Sequence, residues 1–134
     1  MDLVKEVCVE CFDEAIRAVE AGASRIELCE NLAVGGTTPS YGTIRKCLEK
    51  LPVPFVVMIR PRGGNFTYSR DEFEIMQEDI LQCKELGVYG VVCSFSQQKI
   101  LSLTGNVQLL DLSKYQILFK VKGGYFTKIL TTGN

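Results

Sequence analysis

The chain has 134 residues, a formal net charge of −1, 46% hydrophobic residues and 23% charged residues. This length and composition fit one globular domain with a real core, and the near-zero charge argues against nucleic-acid binding, which needs a basic surface. The longest apolar run, residues 53–59, contains a proline and is too short to span a membrane.

The apolar pattern predicts strands that alternate with amphipathic helices. In chain order the predicted elements are a strand at residues 3–9, a helix at 12–22, a strand at 24–30, a helix at 41–51, a strand at 54–60, a helix at 70–86 and a strand at 89–95. Ser69 and Glu72 form a capping-box signature at the start of the longest helix, and Gly87 follows its end. About four clear βα units of this kind predict an α/β fold with parallel strands and right-handed crossovers.

The pattern becomes irregular after residue 95. A short helix is predicted at residues 107–113, and strands are predicted at residues 116–121 and 127–132. Only five residues, KGGYF, join these two strands, which fits a hairpin better than a parallel crossover. We therefore expect one domain over the 134 residues, with regular βα units in residues 1–95 and a divergent tail in residues 96–134.

The chain contains six cysteines and no histidine. Without histidine, a Ser-His or Cys-His nucleophile, a histidine general base and a His-containing zinc site are excluded. The N-terminus lacks the basic start and apolar core of a secretory signal. We therefore expect reduced thiols in a cytoplasmic protein, with the nucleus as a second location.

Chemically active residues stand near the carboxyl ends of the first three predicted strands. Residues two apart on a strand share a face, which joins Glu6 with Cys8, Glu27 with Cys29, and Met58 with Arg60. If the strands are adjacent, the two cysteines and Arg60 form an upper layer, and the two glutamates and Met58 lie below it. Two thiols near a thioether suit a soft ion such as Cu(I). The alternative is simple packing, because cysteine is among the most buried residue types and Met58 is expected in the core.

Two carboxylates beside arginines suit a different site, an acid/base or anion-binding pocket. Arg60 and Arg62 stand at the mouth of the third strand, and the turn at residues 35–40 leads to a helix N-terminus, where backbone N–H groups favour anions. Glu27, Arg60 and Arg62 are therefore the candidate catalytic residues for a small anionic ligand. A purely structural ion pair between a glutamate and Arg60 remains an alternative.

Cys8 and Cys11 have a Cys-x-x-Cys spacing, but Cys11 lies beyond the strand, near the start of the first helix. A helix N-terminus can activate a thiol, which would allow a reactive pair. The surrounding residues show neither the setting of a thioredoxin-like pair nor the second closely spaced cysteine pair of a structural zinc site.

Four stretches of the chain resemble the copper homeostasis protein CutC family. They are EVCV, GASRIELCENLAVGGTTPSYG, VMIRPRGGNFTYSRDEFEIMQEDI and ELGVYGVV, which together cover residues 1–95 almost without gaps. The resemblance implies a (β/α)-type TIM barrel, a cytoplasmic setting and a role in copper tolerance or trafficking. By position, it makes Cys8 and Cys29 the Cu(I) ligands and places Glu27, Arg60 and Arg62 at the same mouth.

Two features depart from the family pattern. Cys11 stands where the family commonly has serine, and the final strands with their Gly-rich turn are not found. A full barrel takes roughly 200 residues or more, so this chain resembles a shortened, incomplete barrel. An incomplete barrel exposes apolar strand edges, and we therefore expect self-association into a homo-oligomer.

The sequence leaves three functions open. The first is a copper homeostasis protein that binds Cu(I) through Cys8 and Cys29. The second is a barrel enzyme that acts on a small anionic substrate with Glu27, Arg60 and Arg62. The third is a shortened product with little activity. Whether the chain is an enzyme is not decided at this point.

Overall fold

The fold is an open parallel sheet with helices between the strands, seen in a computed structural model that describes residues 3–94 and 116–120. Its elements are β1 (Glu6–Val9), α1 (Phe12–Glu20), β2 (Arg25–Leu28), a 3-10 turn (Leu32–Val34), α2 (Tyr41–Lys50), β3 (Phe55–Ile59), α3 (Arg70–Leu86), β4 (Gly90–Ser94) and β5 (Gln116–Lys120). The predicted alternation of strands and helices is confirmed, although most strands are shorter than predicted. The predicted helix at residues 107–113, the strand at 127–132 and their hairpin lie outside the described residues.

All five strands pair in chain order, and every pairing is parallel. A parallel sheet with one helix in each of the first three crossovers is the arrangement expected of βα units. The strand predicted within residues 116–121 is β5, and it extends the parallel sheet beside β4. The sequence predicted a strand there but not its parallel place in the sheet.

The two sides of the sheet carry different clusters, because successive strand residues point to opposite sides. One side packs against the helices, and its buried strand residues are Val9, Ile26, Leu28, Phe55, Val57, Ile59, Val91 and Cys93. The other side, called the inner face below, carries a smaller buried cluster of Cys29, Val56, Met58 and Val92, against which Leu32 packs. The candidate ligands belong to the inner face.

Local signals in the sequence explain where the helices begin and end. The Ser69 hydroxyl accepts a hydrogen bond from the Glu72 backbone N–H, and the Glu72 carboxylate accepts one from Ser69 N at 2.7 Å, which confirms the predicted capping box. Gly87 ends α3 in the left-handed conformation (φ 81°), which glycine adopts without steric cost. The Ser40 hydroxyl accepts a hydrogen bond from the Thr43 backbone N–H at 3.2 Å and so caps α2, without a reciprocal bond of the capping-box kind. Among the described residues, no helix is long and apolar enough to cross a membrane.

Candidate metal centre

Two neighbouring strands bring Cys8, Glu27 and Cys29 together on the inner face. The parallel register pairs Cys8 on β1 directly with Glu27 on β2. Cys29 follows β2, and its backbone N–H donates to the carbonyl of Val9 at 2.9 Å, so the ladder between the two strands continues to this residue. Because Glu27 and Cys29 are two residues apart, both side chains lie on the side that Cys8 occupies.

The three side chains form a compact donor set. The sulfur atoms of Cys8 and Cys29 are 3.5 Å apart, well beyond the roughly 2.05 Å of a disulfide bond. One ligand atom from each of Cys8, Glu27 and Cys29 can be chosen so that all lie within 4.8 Å of one another. Cys29 is fully buried and Glu27 is 2% exposed, whereas Cys8 is exposed. The set is therefore open on the Cys8 side only.

This geometry fits a metal ion held by three ligands. Two metal–sulfur bonds of roughly 2.3 Å that span 3.5 Å enclose an angle of about 100°. Such an angle leaves space for a third ligand, and the Glu27 carboxylate lies within reach. Two thiols and one carboxylate make a donor set that is dominated by soft sulfur.

The predicted layers of the inner face were wrong in register. Cys8 lies level with Glu27, and the pairing of β2 with β3, extended by one step, places Cys29 level with Met58 and leaves Arg60 beyond them. A slip of two residues keeps every side chain on its own face, so strand alternation cannot detect it. Staggered strands are also expected in barrel-like sheets. Met58 is 5% exposed and packs in the inner cluster, as the packing alternative predicted.

Glu6 pairs with Arg25 and not with Arg60, which was the expected partner of a glutamate on this face. Its carboxylate accepts a hydrogen bond from Arg25 Nε at 2.5 Å, and the register places the two residues side by side on β1 and β2. Arg60 was the expected partner, but it lies farther along the sheet. Glu6 therefore belongs to a surface ion pair rather than to the donor set, and Arg25 is a residue that sequence reasoning did not single out.

Arg60 is buried and holds loops of its own chain. Its Nη1 donates to the carbonyl oxygens of Val34 at 2.6 Å and Gly36 at 2.9 Å, and its Nη2 donates to the carbonyl of Gly64 at 2.9 Å. The guanidinium also lies over the Phe66 ring, 4.8 Å from its centroid. These contacts favour a structural role over the predicted binding of an anionic substrate.

Arg62 also binds groups of its own chain. It forms an ion pair with Glu72 and donates to the carbonyls of Asn65 at 3.0 Å and Thr67 at 2.8 Å. The hydrogen bond with Glu72 raises the pKa of Arg62 and lowers that of the Glu72 carboxyl. Arg62 also lies over the ring of Tyr68, at 5.4 Å. The loop at the predicted mouth of the third strand is thus held together by this ion pair and these hydrogen bonds.

The other four cysteines lie outside the donor set. Cys11 is the exposed N-cap residue of α1 and makes no side-chain cap hydrogen bond. Cys47, Cys83 and Cys93 are buried in the core on the helix side of the sheet. Burial raises the pKa of the Cys47 thiol to about 11 and that of Cys83 to about 12, so both stay protonated at neutral pH. Among the described residues, the group that could hold a metal joins Cys8 with Glu27 and Cys29 and does not include Cys11.

Comparison with known proteins agrees with these features. Residues 3–118 match the family described as the CutC family. The chain belongs to the CutC family. The resemblance read from the sequence motifs is therefore confirmed, and the family match continues past residue 95 to β5.

CutC relatives are similar over much of the chain. A CutC family protein of Enterococcus faecalis is 50% identical over 93 residues, which are 67% of this chain and 44% of the relative. The human protein named copper homeostasis protein cutC homolog is 48% identical over 87 residues, 65% of this chain and 32% of the relative. The chain thus spans less than half the length of these relatives.

A solved CutC structure confirms the fold class. The protein from Streptococcus agalactiae superimposes with a TM-score of 0.75 at 38% identity, and the match covers 88% of this chain and 59% of that one. That protein is a TIM barrel, so the five parallel strands of this chain correspond to a part of such a barrel.

Proposed function

We propose that this chain is a copper homeostasis protein that binds one Cu(I) ion through Cys8 and Cys29, with Glu27 as the third ligand. The observation that carries the proposal is the 3.5 Å separation of the two sulfurs, with a Glu27 carboxylate oxygen in the same cluster. The human CutC relative, which is 48% identical over 87 residues, carries copper homeostasis in its name.

The chemistry of the donor set favours Cu(I) over harder divalent ions. Thiolates are soft ligands that select Cu(I), whereas Mg²⁺ and Ca²⁺ take carboxylates, carbonyls and water. Structural zinc takes four ligands, but the described residues supply three at this point. A low-coordinate Cu(I) ion is therefore the best match to two sulfurs with one carboxylate.

The exposure of the ligands suggests how the ion enters and leaves. Cys29 and Glu27 are buried, whereas Cys8 is exposed at the outer strand of the described sheet. A Cu(I) carrier with its own thiol would attack the ion from the Cys8 side, so the ion passes by ligand exchange without release into water. This chemistry needs reduced thiols, which supports a cytoplasmic or nuclear location.

The test is an anaerobic Cu(I) titration with a competing chromophoric Cu(I) chelator. The wild type is expected to withdraw one Cu(I) per chain from the chelator. Cys8→Ser and Cys29→Ser should each lower the Cu(I) affinity by more than about 100-fold. This is more than the loss expected when a residue that only orients a ligand is removed, which reaches about 100-fold at most.

Cys11→Ser is the matched control, because Cys11 is also exposed and lies three residues from Cys8 but outside the donor set. This variant should bind Cu(I) like the wild type. Equal stoichiometry and affinity in Cys8→Ser, Cys29→Ser and the wild type would reject the site. A loss of Cu(I) binding in Cys11→Ser would show that Cys11 is a ligand and would contradict the proposed ligand set.

A further inference from the structure

A short loop covers the buried side of the Cys29 sulfur. This segment, residues 30–38, is called the Cys29 loop; it is closed by two hydrogen bonds between Glu30 and Thr37, at 3.0 and 2.7 Å. Gly36 within it has a φ of +94°, and a Cβ atom at this position would lie 3.5 Å from the Cys29 Sγ. Leu32 packs on the inner cluster that contains Cys29. The loop therefore forms the wall behind one proposed ligand.

Arg60 fixes this loop to the third strand. Its Nη1 donates to two loop carbonyls, those of Val34 and Gly36. Its backbone adds three hydrogen bonds to Thr38, at the end of the loop: the Thr38 N–H and hydroxyl donate to Arg60 O at 2.9 and 3.1 Å, and Arg60 N donates to the Thr38 hydroxyl at 2.9 Å. Arg60 thus holds the loop through hydrogen bonds of both its side chain and its main chain.

The Arg60 side chain is buried and held in one position, unlike the side chain of a solvated surface arginine. Arg60 is 4% exposed, and its buried Nε has no hydrogen-bond partner among the described residues. Burial of a cation is costly unless its hydrogen bonds are well placed, and the bonds to Val34, Gly36 and Gly64 offset part of this cost. Only one peptide unit, that of Gly36, separates the guanidinium from the Cys29 sulfur, because Gly36 O accepts from Nη1 and its Cα faces Sγ.

We propose that Arg60 is a positioning residue of the metal centre, which holds the Cys29 loop against the Cys29 sulfur and thereby raises the affinity for the ion. The part that concerns affinity rests on the proposed Cu(I) function. Outer-shell residues that orient a ligand typically change metal affinity by about 10–100-fold when they are removed. Arg60 is hydrogen-bonded to Val34, Gly36 and Thr38 of the loop, so we place its action on the site in the loop.

The first measurement needs no metal. In the wild type, the fully buried Cys29 should react slowly with an alkylating reagent, as should the fully buried Cys47 of α2, and mass spectrometry of the peptides resolves the two. Arg60→Met releases the loop, so alkylation of Cys29 should accelerate while that of Cys47 stays slow. Equal acceleration of both thiols would mean general loosening of the fold and would overturn the proposal.

A glycine pair provides a second route that leaves Arg60 in place. A methyl group at Gly36 would lie in ordinary van der Waals contact with Cys29, at 3.5 Å, so the main effect of Gly36→Ala is strain at a φ of +94° inside the Cys29 loop. Gly22→Ala strains a similar φ of +105° outside this loop, with nothing within 4 Å. The two variants share the backbone cost, but only Gly36→Ala should expose Cys29 to alkylation. If both variants or neither expose Cys29, the loop is not the wall of the site.

The second measurement is Cu(I) affinity by chelator competition. Arg60→Met and Gly36→Ala should each weaken Cu(I) binding by about 10–100-fold at unchanged stoichiometry, and Gly22→Ala should not. Unchanged affinity in variants whose Cys29 is exposed would refute the role of Arg60 in binding. A wild type that binds no Cu(I) would refute the proposed function, while the alkylation pattern would still decide whether Arg60 positions Cys29.

Discussion

Five of the six cysteines, all except the proposed ligand Cys29, should separate into two reactivity classes, which provides the reference for testing the metal-binding thiols. Burial raises the pKa of Cys47 from 9.0 to about 11 and that of Cys83 to about 12, and it also raises the pKa of Cys93. Only the thiolate reacts with alkylating reagents, so a raised pKa slows the reaction until the pH approaches it. Cys8 and Cys11 are exposed and should react first.

The expected difference follows from the pKa values. Each pKa unit changes the thiolate fraction about tenfold below the pKa, so at pH 8 Cys47 holds about 100-fold less thiolate than a thiol at 9.0, and Cys83 about 1,000-fold less. Steric burial slows both further. The assay is a time course of alkylation at pH 8 in the native protein, with each cysteine followed by its own peptide in mass spectrometry.

One equivalent of Cu(I) should then change the pattern at a single exposed thiol. The proposed site predicts that Cys8 becomes protected, while Cys11, equally exposed but outside the donor set, keeps its rate. Protection of both exposed thiols would indicate a Cys-x-x-Cys copper site and refute the present assignment. Rapid alkylation of Cys47 or Cys83 in the native protein would refute the pKa reasoning.

Three further outcomes are expected. Ser69→Ala removes the N-cap of α3 and should lower the free energy of unfolding by about 0.5–2 kcal/mol in urea denaturation, with the helical register unchanged. The hydrogen bond from Arg62 lowers the pKa of Glu72 below 4.5, so this pair stabilises the fold above that pH and its contribution is lost as the pH falls. In Glu72→Gln, the melting temperature should therefore decrease less steeply as the pH is lowered through this range. Sedimentation velocity should show a coefficient that rises with concentration, because among the described residues no strand pairs with the outer edge of β1; one sharp monomer boundary with cooperative unfolding would contradict self-association.

Period-two alternation was enough to predict two of the three candidate ligands, Cys8 and Cys29, whereas Glu27 was predicted as a catalytic residue and not as a ligand. It placed Cys8 on one face of its strand and Glu27 with Cys29 on one face of the next, and the structure brings these three together. The pairing of neighbouring strands could not be read in the same way, because slips of two residues leave each face unchanged. For this reason the sequence predicted that Cys8 and Cys29 lie level, whereas Cys8 is level with Glu27.

The role of the arginines could not be deduced from residue types. Arg60 and Arg62 beside glycines fit an anion pocket and a loop clamp equally well in the sequence. What distinguishes the two is the path of the backbone: positive φ angles at Gly35 and Gly36 turn the carbonyls of the loop, including that of Gly36, toward Arg60. Glycine permits these angles locally, but the contact between the Gly36 carbonyl and Arg60, 24 residues apart in the sequence, is a long-range feature that local propensity does not encode.

All parts of the proposed site come from the first three strands and the loops that follow them. The proposed ligands lie on β1, on β2 and directly after β2, and Arg60 follows β3, so a chain that spans less than half of these CutC relatives contains all three proposed ligands. Solvent access to the two sulfurs is nonetheless unequal, because the Cys29 loop covers Cys29, whereas Cys8 lies on the outer strand of the described sheet. Among the described residues no strand pairs with the outer edge of β1, and any element that pairs there would cover Cys8 and so control access to the proposed site. We therefore predict that Arg60 substitutions change mainly the affinity of the proposed site, and that changes at β1 alter mainly the rate of metal exchange.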